Sequence, residues 1–499
     1  MIANHLLSVN SAQGDYSQHV AVFCFIITLG MREGYTFDDV LLEPQRSGVF
    51  SRKDVNTSAQ FSKNITLNMP IVSSNMDTVT EHRMARFMAE AGGIGIIHRF
   101  LSVEKQANEV RRVKRAENVV IEDPYTISVD ADISDAKRVM SEKGVSGLPV
   151  LNSSGKVVGI ITRRDILFTE EKNKKVAGAM TKKVITGSPK ITLPAAKKIL
   201  FAHRIEKLPL IDRAGKLRGL ITLKDILKQG NGKLTSKDKK GRFLAGAALG
   251  VKEGTLERAK ALLDAGADAL IVDIAHGHNE RALEIIKLLK RKFKGAEIVG
   301  GNVATPKGAV DLIKAGADAV KVGIGPGAAC TTRIVTGVGV PQLTAILECA
   351  EAAGKYKIPI IADGGVRNSG DLSKALAAGA STVMIGSLLA GTDESPGEYL
   401  FEEGAGYKLY RGMASRDAAD EKTKLDGNQE DGVYRAPEGK SGKVPYRGRA
   451  KNVLDDLIAG LRSSMSYLGA KNLREFQKNT KFIKITSAAL RESNIHDMK

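Results

Sequence analysis

The chain has no tryptophan, only three cysteines in 499 residues, and 14 prolines against 51 glycines. Cys24, Cys330 and Cys349 are too few, and odd in number, for a disulfide framework. They point to a reducing compartment, and the expected location is cytoplasmic. Long apolar runs are missing as well. Residues 20–29 are apolar, but a bilayer span needs roughly 20 residues. Only His5 and His19 precede that run as candidate cations, which does not make the basic n-region of a secretory leader. Residues 1–30 are therefore expected to be a start-site extension or frayed tail outside the fold. Aromatic residues make up 5% and do not interleave with basic ones, which argues against a dedicated nucleic-acid stacking platform. What is present is ordinary for a soluble protein: 42% hydrophobic and 26% charged residues, ruling out wholesale disorder and a multispan membrane protein. The net charge of +19 leaves phosphorylated anionic substrates or a solubilising surface as readings. The length suggests about three units of roughly 150 residues.

An internal repeat lies in the middle of the chain. Gly147-Leu148-Pro149-Val150 answers Lys207-Leu208-Pro209-Leu210, 60 residues on. Gly155-Lys156-Val157-Val158-Gly159-Ile160-Ile161-Thr162 answers Gly215-Lys216-Leu217-Arg218-Gly219-Leu220-Ile221-Thr222 at the same offset, and Asp165-Ile166-Leu167 answers Asp225-Ile226-Leu227. Upstream, Ile133, Ala136 and Met140 match Leu193, Ala196 and Leu200 at helical spacing. Each unit is predicted as helix, strand, turn, strand, helix. This order resembles a tandem pair of CBS modules over residues 119–230, divided near 119–175 and 176–230. The resemblance implies adenine-nucleotide binding; a spacer without ligand is the other reading.

The flanks, residues 31–118 and 231–499, alternate short apolar runs with helical stretches. Eight apolar runs, most of them rich in Val and Ile, lie at residues 69–76, 93–98, 243–250, 269–275, 297–303, 319–325, 359–365 and 382–388. Strands apolar throughout and alternating with helices indicate a parallel sheet buried on both faces. Eight such units predict an α/β fold, a (β/α)8 TIM barrel, interrupted by the repeat between its second and third units. Chemistry in such barrels sits at the C-terminal ends of the strands.

The strongest candidate segment is Lys321-Val322-Gly323-Ile324-Gly325-Pro326-Gly327-Ala328-Ala329-Cys330-Thr331-Thr332-Arg333. A thiol following three closely spaced glycines sits where a flat ligand can approach, and a cysteine can attack an electron-poor carbon. Cys349, in an Ala-rich helical stretch, is read as inert core.

The loop resembles the catalytic loop of the IMP dehydrogenase and GMP reductase family. Asn75-Met76-Asp77-Thr78-Val79-Thr80-Glu81, Val272-Asp273-Ile274-Ala275-His276-Gly277-His278, Gly301-Asn302-Val303-Ala304-Thr305, Ala362-Asp363-Gly364-Gly365-Val366-Arg367, Gly386-Ser387-Leu388-Leu389 and Tyr410-Arg411-Gly412-Met413 agree. The similarity runs from about residue 34 to 497, and an inserted CBS pair is this family's layout.

The resemblance implies roles. Cys330 attacks C2 of a purine nucleotide, with Thr332 and Glu438 as a proton relay. Ser74, Met76, Asp363, Gly364, Gly365, Gly386, Ser387, Tyr410, Gly412 and Met413 hold the nucleotide. Asp363 takes the ribose diol, and Gly365, Gly386 and Ser387 offer donors to the phosphate. Asp273, Asn302, Gly323 and Gly325 face NAD. A K⁺ ion is held by Gly325, Gly327 and Cys330, with Glu492, Ser493 and Asn494 of a neighbouring subunit. A homotetramer or larger assembly follows, with no membrane and no dedicated nucleic-acid partner.

Departures divide the readings. Ala328 stands where a phosphate-binding Ser is usual, and Ala414 where a Gly is usual. Dehydrogenases carry an Arg-Tyr pair well before the flap Glu, and none is in place between Ser415 and Glu438. Val433-Tyr434-Arg435-Ala436-Pro437-Glu438-Gly439-Lys440 is similar to the reductase flap. Ile334-Val335-Thr336-Gly337-Val338-Gly339 and the tail 490–497 look like dehydrogenases. NAD-dependent IMP oxidation is favoured; NADPH-dependent GMP reduction is the alternative, and a catalytically dead nucleotide-sensing or nucleic-acid-binding protein the lesser one.

Overall fold

The computed structural model describes residues 31–116, 120–121, 123–169, 175–189, 191–228, 234–420 and 436–493. The leading segment 1–30, Tyr434, Arg435 and Asn494 lie outside them.

Eight parallel strands close into a barrel: β1 (Ile71–Ser73), β2 (Ile94–Ile97), β3 (Ala245–Leu249), β4 (Ala269–Asp273), β5 (Glu297–Val303), β6 (Ala319–Val322), β7 (Ile360–Asp363) and β8 (Thr382–Ile385). Each falls within one of the eight apolar runs. Each pairs with its sequence neighbour, and β8 closes on β1 through Val383 opposite Ile71. Around them run α1 (His82–Glu90), α2 (Val103–Arg115), α3 (Thr255–Asp264), α4 (Glu280–Lys292), α5 (Pro306–Ala315), α6 (Gln342–Gly354), α7 (Ser369–Ala377) and α8 (Ala450–Tyr467). Helix starts follow local chemistry. Ser102, Asn279, Thr305 and Asn368 each cap a helix by accepting a backbone N–H with the side chain, which satisfies a donor the helix leaves orphaned. Pro306 opens α5 where its missing N–H costs nothing.

The strands lack polar alternation because both faces are buried. Val72, Ile94, Ile96, Ile271, Val299, Ile361 and Met384 fill the barrel interior. Val320, Val322, Leu270 and Val272 instead pack outward against the helices. Each such side chain contributes about 1.5–3 kcal/mol on burial. A hairpin, Ala59–Ser62 with Ile65–Leu67, brings fully buried Phe61 and Leu67 into the interior cluster. Its Ser62 and Asn64 bond to Glu297 at the start of β5, so the hairpin covers the N-terminal mouth and leaves the C-terminal mouth for the site.

The stretch after α2 leaves the barrel and builds two three-stranded sheets. In one, Gly147–Leu151 pairs with Val157–Thr162; in the other, Lys207–Ile211 pairs with Leu217–Thr222. Register and the irregularity near the end of the first strand are the same in both. This is the 60-residue repeat in three dimensions, each unit with its own core. Beyond β8, Tyr399–Glu402, Ala405–Arg411 and Ser441–Pro445 form a further antiparallel sheet, which the run-by-run reading of the sequence passed over.

Candidate active site

The polar residues that interrupt the apolar runs converge at the C-terminal mouth. Asp273 ends β4, Asn302 is the penultimate residue of β5, Lys321 lies in β6 and Asp363 ends β7. They form one buried network. The Lys321 ammonium, 2% exposed, contacts Asp273 Oδ1 at 2.6 Å and Asp363 Oδ2 at 2.7 Å. It also donates to the Asn302 side-chain oxygen. Asn302 Nδ2 in turn donates to Asp363 Oδ2 at 2.9 Å and to the Gly323 carbonyl at 2.7 Å. Asn75 Nδ2 donates to Asp273 Oδ2 at 2.9 Å. Burial pushes the Asp273 carboxyl up, but the Lys321 charge and hydrogen bond outweigh it and hold the group below its ordinary value. Burial likewise pushes the Lys321 ammonium down, and the two carboxylates outweigh it, raising it above its ordinary value. Motif reading assigns Lys321 no role. The signal was available: a lysine inside Ala319-Val320-Lys321-Val322 needs a counter-charge if the strand is buried.

A carboxylate has about four acceptor sites. Asp273 uses sites toward Lys321 and Asn75, and the bonds from Asn302 and Lys321 to Asp363 both fall on Oδ2. Each therefore keeps capacity for a diol. Asp273 is 19% and Asp363 22% exposed at the side chain, so neither is sealed off.

The reactive loop leaves β6. Gly323 has φ +150°, and a Cβ there would lie 2.1 Å from the Asp363 carbonyl, so only glycine lets the loop start against β7. Cys330 Sγ contacts Thr332 Oγ1 at 3.2 Å. On one side the Glu438-Gly439-Lys440 segment runs along the loop: Thr331 N donates to Glu438 O at 2.9 Å and Lys440 N to Ala329 O at 2.9 Å. On its other side Glu438 N donates to Ala414 O at 3.1 Å and Gly412 N to Lys440 O at 3.0 Å. Gly439 thus threads between two backbones, and an added Cβ would meet Ser415 N at 3.0 Å. Cys330, Thr332, Glu438, Gly412 and Met413, scattered in sequence, are drawn together by this ladder.

The remaining candidates form a neighbouring recess. A Cβ on Gly386 would meet the Tyr410 hydroxyl at 3.0 Å, Met76 Sδ at 3.4 Å and Ser74 Cβ at 3.7 Å. Met413 Sδ accepts from Asp77 N at 3.4 Å, and Arg411 pairs with Asp77. Burial, then the nearby Asp363 and Cys330, push the Tyr410 phenol up, so it stays a donor at neutral pH. Gly364 and Gly365 have φ +91° and +86° and lie against Pro326 of the reactive loop. Ser387 opens the short helix Ser387–Ala390. Gln342, 1% exposed, donates to the Val322 and Asp363 carbonyls at 3.0 and 3.2 Å, a brace that reading by motif missed.

Among the described residues, the expected ion ligands are not assembled within one chain. Gly325 and Gly327 lie in the loop, and the Gly327 carbonyl accepts from Cys330 N at 3.0 Å. Glu492 and Ser493 end the exposed helix Ser487–Glu492, and among the described residues no hydrogen bond joins them to the loop. Cys349 is fully buried, and burial pushes its thiol up to about 12. Among the described residues no helix is long and apolar enough to cross a membrane.

A parallel barrel with a cysteine loop after β6, clasped by a returning segment, and a carboxylate–lysine–carboxylate network beneath it defines an α/β barrel with a candidate nucleophile at its C-terminal mouth. The chain belongs to the family described as IMP dehydrogenase / GMP reductase domain, whose sequence model matches residues 34–496. It is 52% identical over 471 residues to inosine-5'-monophosphate dehydrogenase of Nitrosopumilus maritimus (strain SCM1), covering 94% of this chain and 99% of that protein. It is 50% identical to the enzyme of the same name from Aquifex aeolicus (strain VF5), over 94% of this chain and 96% of the relative. A crystal structure of a cysteine-to-alanine variant of GMP reductase from Trypanosoma brucei, in complex with guanosine 5'-monophosphate, superposes with a TM-score of 0.89 at 43% identity. It covers 95% of this chain and all of that one.

Proposed function

We propose that this protein oxidises IMP to XMP with NAD through a covalent bond between Cys330 and C2 of the purine. The observation that carries this reading is the identity of about half of all positions with relatives named IMP dehydrogenase, over 94% of the chain.

The recess of Ser74, Met76, Gly386 and Tyr410 holds the base and phosphate ends of the nucleotide, and Asp363 takes its ribose diol. Asp273, Asn302, Gly323 and Gly325 receive the cofactor; the remaining acceptor capacity of Asp273 fits a ribose. NAD, when bound, supplies the hydride acceptor. Cys330 forms the S–C2 bond while the thiol proton moves to the purine nitrogen next to C2, and C2 then loses hydride. Thr332, in contact with the sulfur, orients water toward C2, and Glu438 takes its proton through that hydroxyl. The S–C2 bond breaks, the sulfur is reprotonated and XMP leaves. Covalent attachment divides one difficult step into two easier ones.

A monovalent cation at the carbonyls of Gly325, Gly327 and Cys330, completed by Glu492, Ser493 and Asn494 of a neighbour in a homotetramer, agrees with the family resemblance. The repeat 119–230 is proposed as a CBS pair that takes an adenine nucleotide.

A second reading is favoured by specific observations: NADPH-dependent reduction of GMP to IMP and ammonia. The flap sequence around Glu438 resembles reductases, and a reductase structure matches along its whole length. One assay separates the two. Enzyme with IMP and NAD⁺ should gain nicotinamide absorbance; enzyme with GMP and NADPH should not lose it. The opposite pattern transfers the assignment to the reductase, and silence in both mixtures leaves neither.

A further inference from the structure

A cavity of about 150 Å³ lies away from the reactive loop, where α2 ends and the repeat begins. Arg111, Lys114 and Arg115 of α2, Arg242 from the turn entering β3, and Ile121 and Asp123 from the connection into the repeat line it. Four cations face one carboxylate.

These cations are not equally engaged. Lys114, 3% exposed, is held by Asp268 at 2.5 Å, Asp238 at 3.2 Å and the Phe243 carbonyl at 2.8 Å. Arg242 Nε donates to Asp238 at 2.9 Å, and one of its terminal nitrogens lies 3.6 Å from where a Gly266 Cβ would sit. Arg111 and Arg115 have no ion pair among the described residues. They stand four residues apart on one helix face, an arrangement in which like charges destabilise a helix. The C-terminal end of α2 accounts for cations in its last turn. It does not account for a third guanidinium brought in from another element across a cavity.

We propose that this cavity is an anion site for a phosphate group, separate from the catalytic mouth. Guanidinium groups match phosphate oxygens with paired N–H donors. Arg111 and Arg115 supply two unclaimed sets, and Arg242, paired with Asp238 through Nε, adds the terminal nitrogens of a third guanidinium, around a space that accommodates a phosphoryl group with attendant water. The ligand is free phosphate or diphosphate, or the phosphate end of a nucleotide. Its position against Ile121 and Asp123 ties barrel and repeat through one bound anion.

The test is calorimetric titration of the full chain with inorganic phosphate, diphosphate and AMP. The variant Arg111→Ala/Arg115→Ala is compared with Lys287→Ala/Lys294→Ala, which removes the same charge from an exposed stretch. The first should weaken a binding component at least tenfold for the ion that occupies the cavity, with unfolding temperature and turnover unchanged. The second should leave it as in wild type. Loss with diphosphate or phosphate alone identifies a free ion; loss with AMP as well identifies a nucleotide phosphate. If the arginine variant folds poorly, Arg111→Gln/Arg115→Gln replaces it, keeping the stems and polar ends. Equal loss in both charge variants, no loss in the arginine variants, or no binding by wild type overturns the site.

Discussion

Replacing Lys321 by methionine keeps a long stem and removes the one charge that Asp273 and Asp363 share. Both carboxylate oxygens touch the same nitrogen, so they are no more than about 5.3 Å apart. At an effective dielectric constant of about 20, two negative charges at that distance repel by about 3 kcal/mol. Breaking a buried ion pair by deleting one partner costs about 3–5 kcal/mol by experience, so the two routes agree. The pH dependence carries the sign. In the wild type, Asp273 sits below its ordinary value; its stabilisation is full above the unfolded value near ~3.9 and is lost as pH falls through the lower folded value. Lys321 sits above its ordinary value; its stabilisation is full below ~10.4 and is lost as pH rises through the folded value. Between them the network contributes a constant amount. In Lys321→Met the two buried carboxylates face each other without their shared counter-charge, which pushes the Asp273 carboxyl above its ordinary value. That group favours folding below its unfolded value and disfavours it as pH rises through the raised one. The deficit against wild type should therefore be widest at neutral pH and shrink as acidification protonates Asp273. Urea unfolding followed by circular dichroism at several pH values measures it. A variant as stable as wild type at neutral pH, or a deficit that does not shrink on acidification, would refute the account.

Cys330→Ala should abolish turnover with unfolding temperature unchanged, because a loop side chain contributes little packing; mass spectrometry after an electrophilic C2-substituted purine nucleotide should find Cys330 labelled and buried Cys349 intact. Joining the chain across residues 119–230 should preserve turnover in steady-state assays, since the repeat has its own cores, and abolish any response to adenine nucleotides. Glu438→Gln keeps the backbone ladder and removes the base. In the dehydrogenase direction rapid mixing should show one burst of NADH, then a stall as the Cys330 adduct accumulates; wild-type steady-state rates would remove Glu438 from the mechanism.

The barrel was legible because burial on both faces leaves strands without polar alternation, and because residues that break the apolar runs stand at strand ends. Asp273, Asn302 and Asp363 were visible for that reason. The hairpin carrying Phe61 and Leu67 was not, since two strands of three and four residues make too short a pattern to separate from a loop. Lys321 was hidden differently. Its partners are 48 residues away on β4, across β5, and 42 residues away on neighbouring β7, and only the closed order of the barrel brings all three to one layer. The same holds for Glu438. No local spacing links it to Cys330, 108 residues earlier; the link is a ladder of backbone bonds from Ala329 and Thr331 to Glu438 and Lys440, continued to Gly412 and Ala414. Residue identity thus marks the groups able to do the chemistry, while strand order and backbone pairing set their distances. Lys321→Met and Glu438→Gln act on charge and basicity and leave both kinds of scaffold in place.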